Sequence, residues 1–310
     1  MGCGGAVAYR RARALIRFGP AGWSYDDWQG IVYPDPRPKG FDPLVYLARY
    51  FDTIEVNSTF YRPARPDVPG RWVRRVAENP EFKFTTKLWQ RFTHRRDSAW
   101  TQDEVDAVVA STDPLAEKDK LGAVLVQFPW SFKATEESLE WISDVTSTFS
   151  AYPLVVEVRH ASWNSPEFHR WLNEQGLGFV NIDQPLFNRS IGPSAEASGR
   201  VGYVRLHGRN YEDWFREGAG RDARYDYLYS REELEPWVER IKELADGGQA
   251  EDVYVVTNNH YRGQAAINAI MLASMVRGTL QKAPETLARV FSDSLEGLAE
   301  PDEGPQGRLL

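Results

Sequence analysis

Charged and amide side chains gather at the C-terminal ends of short apolar segments in this sequence. They are Glu55 and Asn57, Thr85 and Lys87, Gln127, Glu157 and Arg159, Asn181 and Asp183, Arg205 and His207, and Asn258. Within each pair the spacing is two, which in a strand puts both side chains on one face. The interleaved Ile54, Val56, Val156, Val158, Ile182, Val204 and Leu206 are apolar and suit the opposite face. A carboxyl group beside two guanidinium groups is a tunable acid or base, so Glu157 with Arg159 and Arg205 reads as the proton-transfer group. His207 reads as the second proton carrier, and Asp183 joins the catalytic set. Lys87 and Arg159 would hold an anion or stabilise developing negative charge. Asn57, Gln127 and Asn258 would orient the substrate, with Trp23 and Tyr25 as an aromatic wall. The bland alternative is a set of buried ion pairs, such as Glu157 with Arg205, that only stabilises the fold. Burying charge is costly and an apolar filling is usually at least as stable, so five or more charged groups at one end point to a pocket.

Eight segments rich in Val, Ile, Phe and Tyr must position these groups: Ile16–Gly22, Thr53–Asn57, Phe82–Lys87, Ala123–Phe128, Leu154–Arg159, Gly178–Asp183, Tyr203–His207 and Val253–Asn258. Most are separated by enough chain for a helix, and helical patterning fills the gaps at Pro43–Phe51, Pro69–Asn79, Thr101–Lys120, Glu136–Phe149, Ser165–Gly176 and Ser230–Asp246. Ser165–Pro166 is an N-cap followed by proline at the first helical position, and Ser230 with Glu233 is a capping box. His260–Val276 closes the series. The gap from Gln184 to Gly202 is rich in Gly, Ser, Pro and Asn without a period and reads as a long loop. Strands alternating with helices imply parallel pairing, and eight repeats predict a (β/α)8 TIM barrel with the helix after the sixth strand replaced by that loop. A doubly wound open sheet is the runner-up, and the absence of G-x-G-x-x-G after the first strand argues against it. One domain is expected over residues 15–295, with a disordered leader at 1–14 and a disordered acidic tail at 296–310.

The chain has 310 residues and a net charge of −7, which argues against a protein that coats nucleic acid. Ten basic against three acidic residues lie between Arg62 and Arg96, interleaved with Tyr61, Trp89 and Phe92. That pairing suits a phosphate with a stackable ring, so a small anionic substrate is expected and nucleic acid is a further partner to consider through residues 62–96. One cysteine, Cys3, excludes a disulfide framework and a thiolate zinc site. His94, His160, His207 and His260 fall at or after strand ends, yet no pair has a metal-binding spacing such as H-E-x-x-H. No cofactor or resident metal is expected. The alternative of a metal-dependent hydrolase or nuclease would draw on Glu157, Asp183 and His207. No G-x-S-x-G marks a serine nucleophile. No apolar run approaches a membrane span, and the expectation is a soluble, cytoplasmic protein.

Several motifs carry a family resemblance. Gly22-Trp23-Ser24-Tyr25 with Trp28 and Tyr33-Pro34, Glu55-Val56-Asn57-Ser58-Thr59-Phe60-Tyr61, and Gln127-Phe128-Pro129 stand in order along the chain. Glu157-Val158-Arg159-His160 with Ser162-Trp163, Arg205-Leu206-His207-Gly208, Tyr225-Asp226-Tyr227 with Tyr229-Ser230, and Asn258-Asn259 follow them. Together, from about Phe18 to Met275, they resemble the DUF72 (YecE-like) family. The resemblance implies a TIM barrel with these motifs at its strand ends, and Glu55, His160 and Asn259 complete the expected substrate-binding set beside Arg159 and Arg205. It supplies no reaction. Trp130 after Pro129 and His260 after Asn259 depart from the common pattern, where a second Pro and an Asp are usual. The functional expectation is an enzyme doing acid/base chemistry on a phosphorylated or nucleotide-like substrate. A metal-dependent hydrolase and a non-catalytic phospho-ligand or nucleic-acid binding module are the alternatives.

Overall fold

A computed structural model describes residues 13–214, 216, 223–247 and 249–302. Eight parallel strands carry the architecture: β1 Leu15–Pro20, β2 Thr53–Val56, β3 Lys83–Lys87, β4 Leu121–Gln127, β5 Leu154–Glu157, β6 Gly178–Asp183, β7 Val201–Leu206 and β8 Asp252–Thr257. They pair in the order β1-β8-β7-β6-β5-β4-β3-β2. The two end strands meet through a parallel bridge from Ala21 to Glu55, with the Gly22 N–H donating to the Glu55 carbonyl at 2.8 Å. The result is the expected TIM barrel, closed between β1 and β2 by this narrow seam.

The seam depends on a close approach. A side-chain carbon on Gly19 would sit 1.7 Å from the Thr53 carbonyl oxygen, so only a residue without one lets β1 lie against β2.

Seven helices lie where the apolar periods put them, with sharper ends, and three short ones, the second, ninth and tenth below, were not expected. They are α1 Pro43–Leu47, α2 Ser58–Tyr61, α3 Asp67–Arg75, α4 Gln102–Ala116, α5 Glu136–Thr148, α6 Pro166–Glu174, α7 Arg231–Asp246, α8 Gln264–Arg277, α9 Glu285–Val290 and α10 Ser292–Leu295. The Ser165 hydroxyl accepts from the Phe168 N–H at the start of α6, and Ser230 with Glu233 forms the full capping box of α7. Thr101 and Glu104 form a second capping box on α4. Between Asp183 and Val201 the chain forms no helix, as the loop composition predicts. Among the described residues no helix is long and apolar enough to cross a membrane.

The expected tail needs a correction. Ala299–Asp302 is a short strand, β10, paired in parallel with β9 at Gln281–Pro284, and Arg49 bonds Asp302 at 2.9 Å. Backbone pairing and that ion pair fix a segment whose composition suggested disorder. At the other end Arg13 pairs with Asp246 at 2.7 Å and Ala14 is buried, so neither belongs to a leader. The remainder of both expected tails, 1–12 and 303–310, lies outside the described residues.

Substituting Gly19→Val is expected to cost more than the ~1–3 kcal/mol of ordinary overpacking, because the new atoms strike main chain instead of a mobile side chain. Urea denaturation checks this; a midpoint equal to wild type would show that the seam is not tight.

Candidate functional site

Strand register decides which side chains enter the barrel. Glu55 lies beside Thr85, Gln127 beside Glu157, and Tyr203 and Arg205 beside Tyr254 and Val256, so these alternate positions share the interior face. Arg205 occupies the centre. Its Nε and Nη2 donate to the two oxygens of Glu55 at 2.9 and 2.6 Å, and its Nη1 donates to Glu157 Oε2 at 2.8 Å. Tyr203 donates to Glu55 Oε2 at 2.9 Å and contacts the Thr85 hydroxyl at 2.8 Å. Arg159 reaches the remaining Glu157 oxygen through Nε at 2.8 Å. All four oxygens of these two carboxylates therefore accept from charged or phenolic donors.

Above this layer the C-terminal strand ends open on a cavity of about 620 Å³. Trp23, Tyr25, Asn57, Lys87, Gln127, Arg159, Arg205 and Asn258 line it, so the structure brings these expected site residues together. Gly22, with φ at +87°, turns the chain from β1 so that Trp23 and Tyr25 reach the wall. Lys87 Nζ donates to Gln127 Oε1 at 2.7 Å and lies 4.2 Å from the centre of the Phe60 ring. Tyr25 stacks on His260, which also meets Tyr225, at ring distances of 4.6 and 5.0 Å.

The electrostatics separate these groups. Burial alone would raise the Glu157 carboxyl, but Arg205, Arg159 and His207 overturn it and hold it well below the usual carboxylate range. Burial, then Arg159, depress His207 to about 3, so its imidazole is neutral. Its Nδ1 faces the Asn258 amide nitrogen at 3.0 Å, and its Nε2 lies 3.3 Å from both Glu157 Oε1 and the Arg159 guanidinium. Burial, then the Arg205 guanidinium, bring Lys87 down to about 7, with Glu55 and Glu157 offsetting only part of it. His94, on the same cavity wall, is lowered to about 4 by burial and by Lys87.

Glu157, His207 and Glu55 are fully buried behind the cavity wall instead of facing it. Three other expected site residues lie elsewhere. Asn181 and Asp183 register with Val204 and Leu206, so the strand phase of β6 points them out of the barrel. Asp183 bonds Arg209 twice, at 2.8 and 2.6 Å, Trp237 of α7 at 2.6 Å and Tyr229 at 3.1 Å. With its oxygens committed there, it does not join Glu157 and His207, and among the described residues no three His, Cys, Asp or Glu side chains are grouped so as to hold a metal ion. His160 caps a short turn, its Nδ1 accepting from the Ser162 N–H at 3.1 Å, and its position after Arg159 gives it the opposite parity. Asn259 bonds the Tyr227 carbonyl at 2.7 Å and Asn268 at 2.8 Å. It positions the segment bearing Arg224 and Tyr225.

Those two residues, with Phe60 and Gln90, line the cavity and were not among the site residues picked from the sequence; His94, weighed there only as a metal ligand, lines it too. Phe60 and Tyr225 stand inside quoted motifs. Arg224 has no local signal at all, because a loop brings it there. The basic quarter is dispersed: Arg91 is buried on Glu104 at 2.6 Å, Arg71 pairs with Asp67 at 2.8 Å, Arg75 pairs with Asp42, and Lys83 lies at the opposite barrel end, paired with Asp119 at 2.5 Å. At that end a second cavity of about 510 Å³ is lined by Lys83, Asp119, Arg200, Glu251 and Asp252. Its charges are mutually paired, and barrel enzymes work at the other face.

A family model described as "Protein of unknown function DUF72" matches residues 17–289. The UPF0759 protein YunF of Bacillus subtilis is 30% identical over 283 residues, covering 84% of this chain and 95% of its own. A DUF72 family protein from Thermotoga maritima superposes with a TM-score of 0.73 at 32% identity, over 85% of this chain and 99% of that one. Another from Enterococcus faecalis, 24% identical, gives 0.73 over 85% and 96%.

Truncating Arg205→Met strands two buried carboxylates, with an expected loss of ~3–5 kcal/mol at neutral pH. In wild type the depressed Glu157 carboxyl contributes stability above the ordinary carboxylate range that is lost as pH falls through it. In the variant burial acts with one guanidinium removed, so stability should fall less on acidification and the gap to wild type should narrow toward pH 4. Denaturant midpoints across pH measure it; a gap independent of pH would contradict the ion-pair account.

Proposed function

The chain belongs to the DUF72 family, a family of unknown function, and from the cavity of this member we propose an enzyme that performs proton-transfer chemistry on a small anionic substrate. The observation that carries this is the charge arrangement of the cavity. Glu55 and Glu157 are spent on Arg205 and Arg159 behind the wall, while among the described residues Lys87 hydrogen-bonds only to a neutral amide and Arg224 stands exposed at the mouth. The paired groups cancel, leaving two cations that a bound anion would satisfy.

Lys87 takes the role first read onto Glu157. A group titrating near 7 can both accept and return a proton at neutral pH, whereas Glu157 is locked as a carboxylate and His207 as a neutral ring. Glu157 and His207 become positioning residues that set the Arg159 guanidinium. Arg224 and Arg159 hold the anionic group, and Asn57, Gln127 and Asn258 orient the rest against Trp23, Tyr25 and Tyr225. A volume of about 620 Å³ suits a ligand of sugar-phosphate or mononucleotide size. The dispersed basic quarter favours such a ligand over a nucleic-acid strand, and the outward turn of Asp183 weighs against the metal-dependent hydrolase.

Calorimetric titration with ribose 5-phosphate and with inorganic phosphate tests the reading. Binding is expected to weaken about ten-fold in Arg224→Ala, the value of one charge-assisted contact of ~1.4 kcal/mol. It should also weaken as pH rises through about 7, because the Lys87 ammonium then discharges. Absence of heat with both probes, or heats unchanged in Arg224→Ala and Lys87→Met, would refute it.

A further inference from the structure

We infer that Lys87 is a nucleophile that carries a carbonyl-bearing anionic substrate as an imine, an assignment that rests on the anion-binding reading of the cavity and names its substrate class. The argument starts from what surrounds the amine. Lys87 ends β3 and opens on the cavity, yet the two carboxylates nearest in the interior, Glu55 and Glu157, are each taken by a guanidinium. Its bonded partner is the Gln127 carbonyl oxygen, and Phe60 lies under it. An amine with a neutral acceptor keeps its lone pair free in the uncharged form. An ammonium there lacks a counter-ion and faces two arginines. Desolvation and neighbouring cations are the two devices that turn a lysine into a nucleophile at neutral pH, and both are present. Its lowering to about 7 is consistent with that geometry.

The step balances without a further reagent. The Nζ lone pair bonds to the carbonyl carbon, and the C=O π pair moves to oxygen, which takes a proton while the nitrogen gives one up. The nitrogen pair then forms C=N as the hydroxyl leaves with a proton as water. Amine and carbonyl compound go to imine and water, and hydrolysis returns both. Arg159 and Arg224 would hold the carboxylate or phosphate of the same molecule, which fixes its carbonyl over Nζ. His94 is neutral and lines the same wall, its Nδ1 on the Thr93 hydroxyl at 2.9 Å.

The test treats the full chain with glyoxylate, an aldehyde bearing a carboxylate, and with uncharged propionaldehyde, each followed by sodium cyanoborohydride and peptide mapping. Glyoxylate is expected to modify Lys87 more than about ten-fold faster than the exposed Lys39, Lys118 and Lys133, because far more of its amine is uncharged at pH 7.5. Propionaldehyde should lose most of that preference, and the glyoxylate rate should fall below pH 7. The readout is on the wild-type chain, so a poorly folded variant cannot obscure it, and Lys87→Arg serves as the control for adduct position. Lys87 left unmodified, or modified no faster than the exposed lysines, overturns the imine. If ribose 5-phosphate still binds in an Arg224-dependent way, that failure spares the anion site; if it does not bind, both fall.

Discussion

A single guanidinium inside the barrel, holding two carboxylates from β2 and β5, sets the rest of this site. Arg205 grips Glu55 with two parallel bonds and Glu157 with a third, with both carboxylates fully buried and the guanidinium almost so. Each charge is expensive to desolvate, and what makes the cluster tenable is that the donors and acceptors match in number and direction. The consequence lies one layer up. Because Glu157 offers its last oxygen to Arg159, no carboxylate remains for Lys87, and that amine is left with an amide, an aromatic face and two like charges. The structural pairs thereby create an unpaired cation at the solvent-reachable end.

Polar residues on the outer face of the barrel do a different job. Asn181 binds the Glu196 carbonyl and amide and the Ser194 hydroxyl, at 3.0, 2.8 and 2.7 Å. These bonds secure the loop that stands where a helix after β6 would pack. Asp183 fastens α7 through Trp237. A barrel lacking one helix must cover that strand by other means, and a polar anchor under a loop replaces the apolar face that a helix would supply.

The eight-strand repeat, the missing helix and most helix ends were legible because each rests on local composition and period. The inward set on β2, β3, β4, β5 and β7 was legible too, since Glu55, Lys87, Gln127, Glu157, Arg159, Arg205 and His207 share one strand phase. The same rule failed on β6. There Val180 and Ile182 face inward, and only the pairing with Tyr203 and Arg205 reveals the phase. Depth was also hidden: a strand pattern shows that Glu157 and His207 point inward but not that Arg159 roofs them over. Arg224 came from a loop and could not be found by spacing. His160 and Asn259 show that a motif can mark what positions a site as readily as what touches a ligand.

The charge state of one amine tests this account most directly. Titration of the Lys87 side chain by NMR, through selectively labelled lysine assigned with Lys87→Arg, should give a midpoint near 7, far from the ordinary 10.5. A midpoint at the ordinary value would mean that the carboxylates are not sequestered by Arg205, and the chemistry assigned to the cavity would lose its acting group.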